Sequence, residues 1–309
     1  MLKTVNLTKR YGAFTALDGL NLEIPTGVLH GFVGPNGAGK TTTMRILATL
    51  LPATAGTAYI DDVDIALNPR QVRRIVGYMP DFFGVYDGLK VVEYLDFYGS
   101  CYGLGYAERQ HMAEQLLELV MLSDKRNAYV DTLSRGMKQR LCLARSLIHD
   151  PSLIILDEPA SGMDPRARAE MKGILRTLKS LDKTVLISSH ILPELSELCD
   201  SLSIIDRGRL IFSGNMDELG RHMRGDTPLV VCVDGDTDEA VRLLKETQGV
   251  TGLELDESGA LRVAFEGDEV ALLRRLVNGN VRVRDFHRTP VNLEAVFMEV
   301  TNHDGGDEG

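Results

Sequence analysis

A chain of 309 residues with 44% apolar side chains is long enough for more than one domain and for a substantial core. Residues 1–224 hold 26 basic and 26 acidic side chains, whereas residues 225–309 hold 8 and 18, so the net charge of −10 lies in the last quarter. Because the first part of the chain is neutral and the last part is acidic, we expect no basic patch that would bind nucleic acid. No stretch contains the about 18 consecutive apolar residues that are needed to span a membrane.

The cysteines and the N-terminus place the chain in a reducing compartment. The segment Met1–Leu7 is patterned like a strand rather than a secretion signal. The cysteines have neither metal-binding nor CxxC spacing; they are Cys101, Cys142, Cys199 and Cys232.

Residues 1–80 are predicted to alternate short strands with glycine turns. The strands are expected at Leu2–Leu7, Leu20–Ile24, Val28–Val33 and Ala58–Ile60. The third strand runs into the segment GPNGAGKT at 34–41, and Thr42–Leu47 is predicted to be helical. Strand, glycine-rich loop and helix, with the spacing GxxxxGK[ST], form a cradle for phosphate groups.

Glycine has no Cβ, so several backbone N–H groups of this loop can converge on phosphate oxygens, and the helix that follows adds the positive end of its dipole. Lys40 is predicted to reach the β- and γ-phosphates, and the Thr41 hydroxyl to ligate Mg²⁺. The chain is therefore predicted to bind a nucleoside triphosphate. The predicted nucleotide-binding residues here are Gly34, Pro35, Asn36, Gly37, Ala38, Gly39, Lys40, Thr41 and Thr42.

The segment from about residue 82 to residue 150 is predicted to be mainly helical. Within Tyr106–Met121, apolar side chains recur at helical spacing and are expected to face the core. The stretch from Phe82 to Tyr102 is the most aromatic in the chain. Buried packing is its default explanation, and a docking groove for a membrane partner is the alternative.

The segment 133–140, with the sequence LSRGMKQR, precedes a helical pattern over 141–147. Ser134, Arg135 and Gly136 therefore begin a helix, where unpaired backbone N–H groups bind anions.

An acidic pair follows the apolar run Leu153–Leu156. The carboxyl ends of parallel strands gather ligands, so Asp157 and Glu158 are expected to face the phosphate site. Asp157 is predicted to hold Mg²⁺ and Glu158 to orient or deprotonate the attacking water. Such a pair can also simply cap a helix, but after a phosphate loop it indicates hydrolysis.

Residues 151–220 return to alternating strands and helices, which completes a mostly parallel sheet. After Gly225 the predicted order is strand–helix–strand–strand–helix–strand, typical of a small ferredoxin-like module. A short helix over 292–300 and a disordered acidic tail over 303–309 are expected to follow.

The phosphate loop, the 133–140 segment and the acidic pair resemble, in order and spacing, the ATP-binding subunits of ABC transporters over about residues 1–220. The resemblance implies that Ser134, Arg135 and Gly136 close over the γ-phosphate of an ATP held by a second subunit. It therefore implies a two-cassette assembly, either a homodimer or a pair with a paralogue, bound to a separate integral membrane permease.

Further roles follow from the same resemblance. It implies that Tyr11 stacks on adenine, with an ordinary edge-strand tyrosine as the alternative. The loop at Ser161–Asp164 would cross to the partner subunit. His190, after the strand Thr184–Ser189, would contact the γ-phosphate and position the water.

Two positions depart from the family pattern. Asp81 stands where the family usually has glutamine, and it is predicted either to ligate the metal, to share a proton with Glu158, or only to shape its loop. Arg135 replaces a usual glycine, and it is predicted either to neutralise phosphate charge or to point away and bind the partner chain.

The predicted fold is α/β, an ABC-type P-loop ATPase core at 1–222 with a mostly parallel sheet, antiparallel strands and a helical subdomain, plus an accessory α+β domain at 226–302. The accessory domain is expected to serve dimer contact, regulation or scaffolding. The function implied by the resemblance is an ATPase that uses ATP and Mg²⁺ to power export from the cytoplasmic face of the membrane, with a drug or antibiotic as the expected cargo. The alternatives are a soluble ABC ATPase acting on DNA or ribosomes, and a kinase or GTPase that shares only the phosphate loop.

Overall fold

The computed structural model describes residues 1–82, 84, 88–215, 218–219, 228–235, 237–256 and 259–288. Residues 1–216 form one compact unit and residues 217–299 a second. The predicted domain boundaries at 222 and 226, the helix at 292–300 and the acidic tail lie outside the described residues. Four residues of the aromatic stretch also lie outside them: Phe83, Val85, Tyr86 and Asp87.

The first unit combines two sheets with helices. Its strands are β1 (Leu2–Tyr11), β2 (Phe14–Leu20), β3 (Glu23–Ile24), β4 (Leu29–Val33), β5 (Ala55–Ile60), β6 (Val63–Asp64), β7 (Val76–Met79), β8 (Leu153–Leu156), β9 (Thr184–Ser189), β10 (Ser201–Asp206) and β11 (Arg209–Asn215). Its helices are α1 (Lys40–Leu47), α2 (Pro69–Ile75), α3 (Val91–Cys101), α4 (Tyr106–Leu119), α5 (Arg135–Leu147), α6 (Pro165–Ser180) and α7 (Leu192–Ser196).

A six-stranded sheet in the order β11-β10-β4-β9-β8-β7 positions the phosphate loop. The five strands from β10 to β7 are parallel, and only the edge strand β11 is antiparallel. Strands β4, β8 and β9 are buried along their whole length, as expected of parallel strands that are covered on both faces. Parallel pairing brings the carboxyl ends of β4, β8 and β9 to one edge of the sheet, where the predicted catalytic residues follow.

The second, antiparallel sheet has the order β2-β1-β5-β6, with β3 also paired to β1. The sequence prediction was wrong here in two respects: β1 extends to Tyr11, and Leu20 ends a separate strand instead of beginning one. A two-residue turn explains both differences, because Gly12 has φ 59° and lets Tyr11 pair with Phe14 across the hairpin.

The segment between β7 and β8 is mainly helical, as predicted, where the structure describes it. Leu116 and Val120 of the predicted apolar stripe are buried and are confirmed as core, whereas its Met112 and Leu119 are only half-buried. Val91, Tyr94 and Leu95 of α3 are also buried.

The second unit is a four-stranded antiparallel sheet with two helices. Its elements are β12 (Leu229–Val233), α8 (Thr237–Lys245), β13 (Val250–Leu255), β14 (Leu261–Phe265), α9 (Glu269–Asn278) and β15 (Val283–Arg288). The strand order β13-β14-β12-β15 is that of a ferredoxin-like module, as the sequence predicted. Leu229, Val231, Leu244, Val263 and Leu276 belong to a separate hydrophobic core for this unit.

Among the described residues, no helix combines the length and the apolar character needed to cross a bilayer. All four cysteines are free thiols. Cys142 and Cys199 are buried, and burial raises the pKa of the Cys142 thiol to about 11 and that of Cys199 to about 12.

Candidate functional site

A cleft of about 440 Å³ gathers most of the residues that the sequence predicted to handle nucleotide. It is lined by Tyr11, Phe14, Ala16, Pro35, Asn36, Gly37, Gly39, Lys40, Thr41, Thr42, Asp81, Glu158, Ser161 and His190. The phosphate loop, the ends of β1, β7, β8 and β9, and the hairpin between β1 and β2 therefore share one concave surface.

The phosphate loop requires glycine at more than one position. Gly37 and Gly39 adopt φ 86° and 109°, in the left-handed region that side chains disfavour. A Cβ at Gly34 would lie 2.4 Å from the backbone oxygen of Ile205. The loop is thus shaped by close backbone approach, which leaves its N–H groups unshielded toward the cleft.

Lys40 is the first residue of α1 and is only 6% exposed. Its ammonium donates to the carbonyl oxygens of Gly34 at 2.5 Å and Pro35 at 3.2 Å, and its Nζ lies 3.7 Å from Glu158 Oε1. Burial lowers the pKa of Lys40, and the neighbouring carboxylates Glu158 and Asp157 oppose that shift. The ammonium is therefore held over the loop, on the side where phosphate oxygens would bind.

Asp157 is completely buried, and its two oxygens have different surroundings. Oδ1 accepts hydrogen bonds from the hydroxyls of Ser188 at 2.8 Å and Thr41 at 3.2 Å. Oδ2 is buried and has no hydrogen-bond partner among the residues that the structure describes. Burial raises the pKa of Asp157; the Ser188 and Thr41 hydroxyls lower it, and the charge of Asp81 raises it further.

The donor set at this point fits Mg²⁺. A buried carboxylate oxygen without a partner lies beside a threonine hydroxyl, and Mg²⁺ prefers oxygen ligands. The described residues contain no cluster of three or more acidic, histidine or cysteine side chains arranged for a metal.

Glu158 faces His190 across the cleft. Its Oε2 lies 2.9 Å from His190 Nδ1, and its side chain is 14% exposed. Glu158 has φ 49°, a conformation that a non-glycine residue adopts only when its surroundings impose it. The Ser188 hydroxyl accepts the Glu158 N–H at 2.9 Å and so helps to hold that turn.

One end of the cleft is built by the hairpin between β1 and β2, which the sequence had not predicted. Tyr11 and Phe14 are paired across the turn and are 48% and 62% exposed. The Lys9 ammonium lies 5.2 Å from the centre of the Tyr11 ring. Tyr11 is thus both a strand-end tyrosine and a cleft residue, and Phe14 offers a second aromatic face.

The Ser134–Gly136 segment does not line this cleft. Ser134 is the N-cap of α5, with its hydroxyl accepting the Met137 N–H at 3.3 Å. The Arg135 guanidinium donates to the Ser161 carbonyl of its own chain at 3.3 Å. Gly34, Ala38 and Asp157 also lie behind the lining rather than in it.

The sequence analysis gave no role to Ser188, which connects the two carboxylate residues by hydrogen bonds. The signal was present, since β9 is a fully buried strand that ends in two serines. A hydroxyl in such a strand needs a buried partner, and Asp157 directly follows the neighbouring strand β8.

The profile of the ABC transporter family matches residues 17–161. The daunorubicin/doxorubicin resistance ATP-binding protein DrrA of Streptomyces peucetius is 35% identical over 309 residues, which cover 99% of this chain and 94% of that protein. The Nod factor export ATP-binding protein I of Cupriavidus metallidurans is 38% identical over 305 residues, covering 98% of each.

Solved structures show the same fold. An ATP-binding subunit of an ABC transporter superposes with a TM-score of 0.66 at 29% identity, over 72% of this chain and 93% of that one. A dimeric ATP-binding cassette in a post-hydrolysis state, bound to ADP and Pi, superposes with a TM-score of 0.64 at 25% identity, over 70% and 99%.

Proposed function

Since this chain belongs to the ABC transporter family as an ATP-binding subunit of the export type, we propose that it hydrolyses ATP in the cleft between Lys40 and His190 to drive a partner permease. The observation that carries the proposal is the position of Glu158. Its carboxylate lies between the buried Lys40 ammonium and the His190 ring, beside the phosphate loop.

In this proposal the chemistry is divided among a few side chains. Lys40 and the loop N–H groups neutralise the β- and γ-phosphates. The Glu158 carboxylate accepts the proton of the attacking water, and His190 holds that carboxylate and the γ-phosphate in line. Tyr11 and Phe14 stack on the adenine ring, which contributes about 1–3 kcal/mol per stacked base.

Mg²⁺ is the proposed cofactor. Thr41 and Asp157 would hold it, with Asp81 as the third oxygen-bearing side chain at this edge of the cleft. When bound, the ion draws charge from the β- and γ-phosphates. Asp81 therefore takes the place of the usual glutamine as an oxygen donor.

Two copies of the cassette are proposed to share their active sites. Ser134–Gly136 does not line its own chain's cleft, although it begins a helix with anion-binding geometry. The anion would be the γ-phosphate of an ATP molecule bound in the cleft of the second subunit. The dimeric cassette among the similar structures supports this arrangement.

The permease is proposed to dock in a second cleft, of about 560 Å³, which we call the arginine cleft. It is lined by Ala48, Leu50, Arg70, Arg73, Arg74, Val76, Tyr78, Tyr98, Cys101, Tyr102, Arg145 and Ser146. Four of these residues are arginines and none is acidic, and no ion pair of the described residues involves any of the four. A permease segment with carboxylate side chains complements that charge, and arginine and tyrosine are enriched at protein interfaces.

The proposed cargo is a drug or antibiotic, by analogy with the resistance proteins among the relatives. Docking on the permease places the chain at the cytoplasmic face of the membrane. The DNA or ribosome alternative is not supported, because the relatives are named for export and resistance. The kinase and GTPase alternatives fail on the family match itself.

The proposal is tested with Glu158→Gln, with ATP turnover measured in the complex with the permease and dimerisation measured on the isolated subunit. Removal of the proton acceptor should lower turnover at least 100-fold while ATP binding is retained, so that ATP holds a stable dimer of cassettes. Size-exclusion chromatography with light scattering, with and without Mg-ATP, detects that dimer. Lys40→Ala in the same background is the control, and it should remain monomeric. Rapid ATP turnover by monomeric Glu158→Gln would contradict the mechanism.

A further inference from the structure

The arginine that departs from the family pattern contacts a specific loop of its own chain. Arg135 is the first residue of α5, and its Nη2 donates to the carbonyl oxygen of Ser161 at 3.3 Å. The guanidinium also lies against Gly162, where an added Cβ would approach its Nη2 to 2.5 Å and its Cζ to 2.6 Å. Gly162 has φ 65°, so backbone conformation and space both favour glycine beside this arginine.

A second donor from the same helix reaches the same carbonyl. Gln139, one turn further along α5, donates its amide N–H to Ser161 O at 3.0 Å, and it is 3% exposed. The starts of α5 and α6 also approach closely, since a Cβ at Gly136 would lie 2.9 Å from that of Ala167. The Ser161 carbonyl is therefore held by two side chains of one rigid helix.

The loop that α5 holds carries the proposed proton acceptor. Ser161 N–H donates to the carbonyl oxygen of Glu158 at 3.0 Å, which closes a turn from 158 to 161. Ser161 and Glu158 both line the cleft of about 440 Å³ that is proposed to bind ATP, which we call the ATP cleft. The strained φ of Glu158 makes its side-chain position sensitive to how the far end of this turn is anchored.

We propose that Arg135 is a positioning residue, which acts within its own chain through Ser161 to hold Glu158 in place for hydrolysis. The inference rests on the proposed function and adds a connection to it. The start of α5 that meets the partner's nucleotide is the same one that anchors the catalytic turn of its own cleft. Arg135 thus links the two ATP sites of the dimer.

The first test uses homodimers in complex with the permease. Arg135→Gly and Gln139→Ala should each lower kcat at least tenfold and leave the KM for ATP within about twofold, because both release the same turn and neither side chain lines the cleft of its own chain. Arg135→Lys, which retains a donor, should recover turnover to within about threefold of the original. Arg166→Gly, an exposed arginine in the first turn of α6, is the matched control and should stay within about twofold.

If Gln139→Ala left kcat unchanged, or if Arg135→Gly acted mainly on KM, the inference would be overturned. Because the two side chains serve one carbonyl, the double variant should lose clearly less than the product of the single effects. Simple multiplication of the two effects would argue for separate roles and against the proposal. Thermal unfolding of each variant shows whether the variant is still folded, so that a loss of activity is not mistaken for a loss of structure.

The second test separates action on the same chain from contact with the partner's nucleotide. Two differently tagged copies are co-expressed so that one carries Glu158→Gln and only the other can hydrolyse ATP. Placing Arg135→Gly on the hydrolysing copy should lower turnover at least tenfold relative to the Glu158→Gln/original pair. Placing it on the Glu158→Gln copy should have a much smaller effect, because glycine keeps the backbone N–H groups that are proposed to meet the partner's phosphate. The reverse pattern would show that Arg135 serves the partner's phosphate and would sink the inference.

If the Glu158→Gln/original pair does not hydrolyse ATP, the measurements on the homodimers decide by themselves whether Arg135 positions Glu158. The proposed function fails separately, if Glu158→Gln alone forms no ATP-dependent dimer.

Discussion

At the scale of single residues, burial governs the charge states in the ATP cleft. Asp157 is fully buried, and that burial favours its neutral form, while two hydroxyl donors favour the carboxylate. Ser188 is the stronger of the two donors, at 2.8 Å, and it also receives the N–H of Glu158. One serine therefore orients both acidic residues, although it does not line the cleft itself.

Replacement of Ser188 by alanine should slow hydrolysis more than it weakens ATP binding. The change removes the O–H donor to Asp157 and leaves the Glu158 N–H without its acceptor. Groups that orient metal ligands in this way contribute about 10–100-fold to activity, and an unsatisfied buried group costs about 1–3 kcal/mol of stability. Steady-state turnover, ATP affinity and urea unfolding measure the three quantities. Ser180→Ala, at an exposed hydroxyl, is the control.

The same substitution has a defined effect on the pH profile. The Ser188 hydroxyl bonds to the charged form of Asp157 and lowers its pKa, so its removal raises that pKa further. Because ionised Asp157 is the form that holds the metal, the acidic limb of kcat/KM should move to higher pH in Ser188→Ala. A shift to lower pH, or none, would show that the hydroxyl does not stabilise the carboxylate.

At the scale of elements, the phosphate loop depends on left-handed backbone conformations, which glycine adopts more easily than other residues. Gly39 has φ 109°, and a Cβ there would lie 2.7 Å from the carbonyl oxygen of Ala16. Gly173, in the middle of α6, has no atom within 4 Å of an added Cβ. The two glycines therefore respond to the same substitution in opposite directions.

The substitution Gly39→Ala should destabilise the protein by about 1–3 kcal/mol, through strain in the left-handed region, and lower ATP affinity at least tenfold. Gly173→Ala should instead stabilise the protein by up to about 1 kcal/mol, because alanine favours helix, and should leave ATP affinity unchanged. Urea unfolding and equilibrium nucleotide binding test the pair. Equal effects of the two changes on affinity would contradict the role given to the loop conformation.

The sequence correctly predicted those elements that can be recognised from the pattern of their own residues. The phosphate loop, β8 with its acidic pair and the strand Leu229–Val233 lie where the sequence indicated. The β1–β2 hairpin was missed because its two-residue turn, with Gly12 but no proline or asparagine, interrupts the strand pattern only briefly. Contacts between distant segments, such as Arg135 with Ser161 and Ser188 with Asp157, were beyond a single sequence, because their partners lie 26 and 31 residues away.

At the scale of the whole molecule, charge is unevenly distributed over the surface. The ATPase portion is neutral overall, yet its arginine cleft concentrates four guanidinium groups without an acidic neighbour in the lining. Arg145 is partly buried there, 5.1 Å from the centre of the Tyr98 ring, so part of that positive charge is covered by an aromatic face. The remaining positive potential is available to a partner that carries carboxylates.

Charge reversal at the rim of the arginine cleft should separate the subunit from its permease. We expect the double change Arg70→Glu and Arg74→Glu to weaken membrane association at least tenfold, because attraction to an acidic segment becomes repulsion. Both side chains are exposed and outside the ATP cleft, so ATP binding by the isolated subunit should stay within about twofold. Co-purification with the permease from detergent-solubilised membranes, and equilibrium ATP binding, measure the two properties.

The matched control reverses the same number of charges elsewhere. Arg274→Glu with Arg282→Glu, at two exposed arginines of the second unit, changes the net charge equally and should leave association intact. Association of the original subunit should also weaken with rising salt, since exposed ion pairs are screened within about 10 Å at 0.1 M. Exchange of the permease carboxylates for arginine should restore binding of the Arg70→Glu/Arg74→Glu subunit. Equal loss in both double variants would mean that association follows total charge, and the arginine cleft would then not be the docking site.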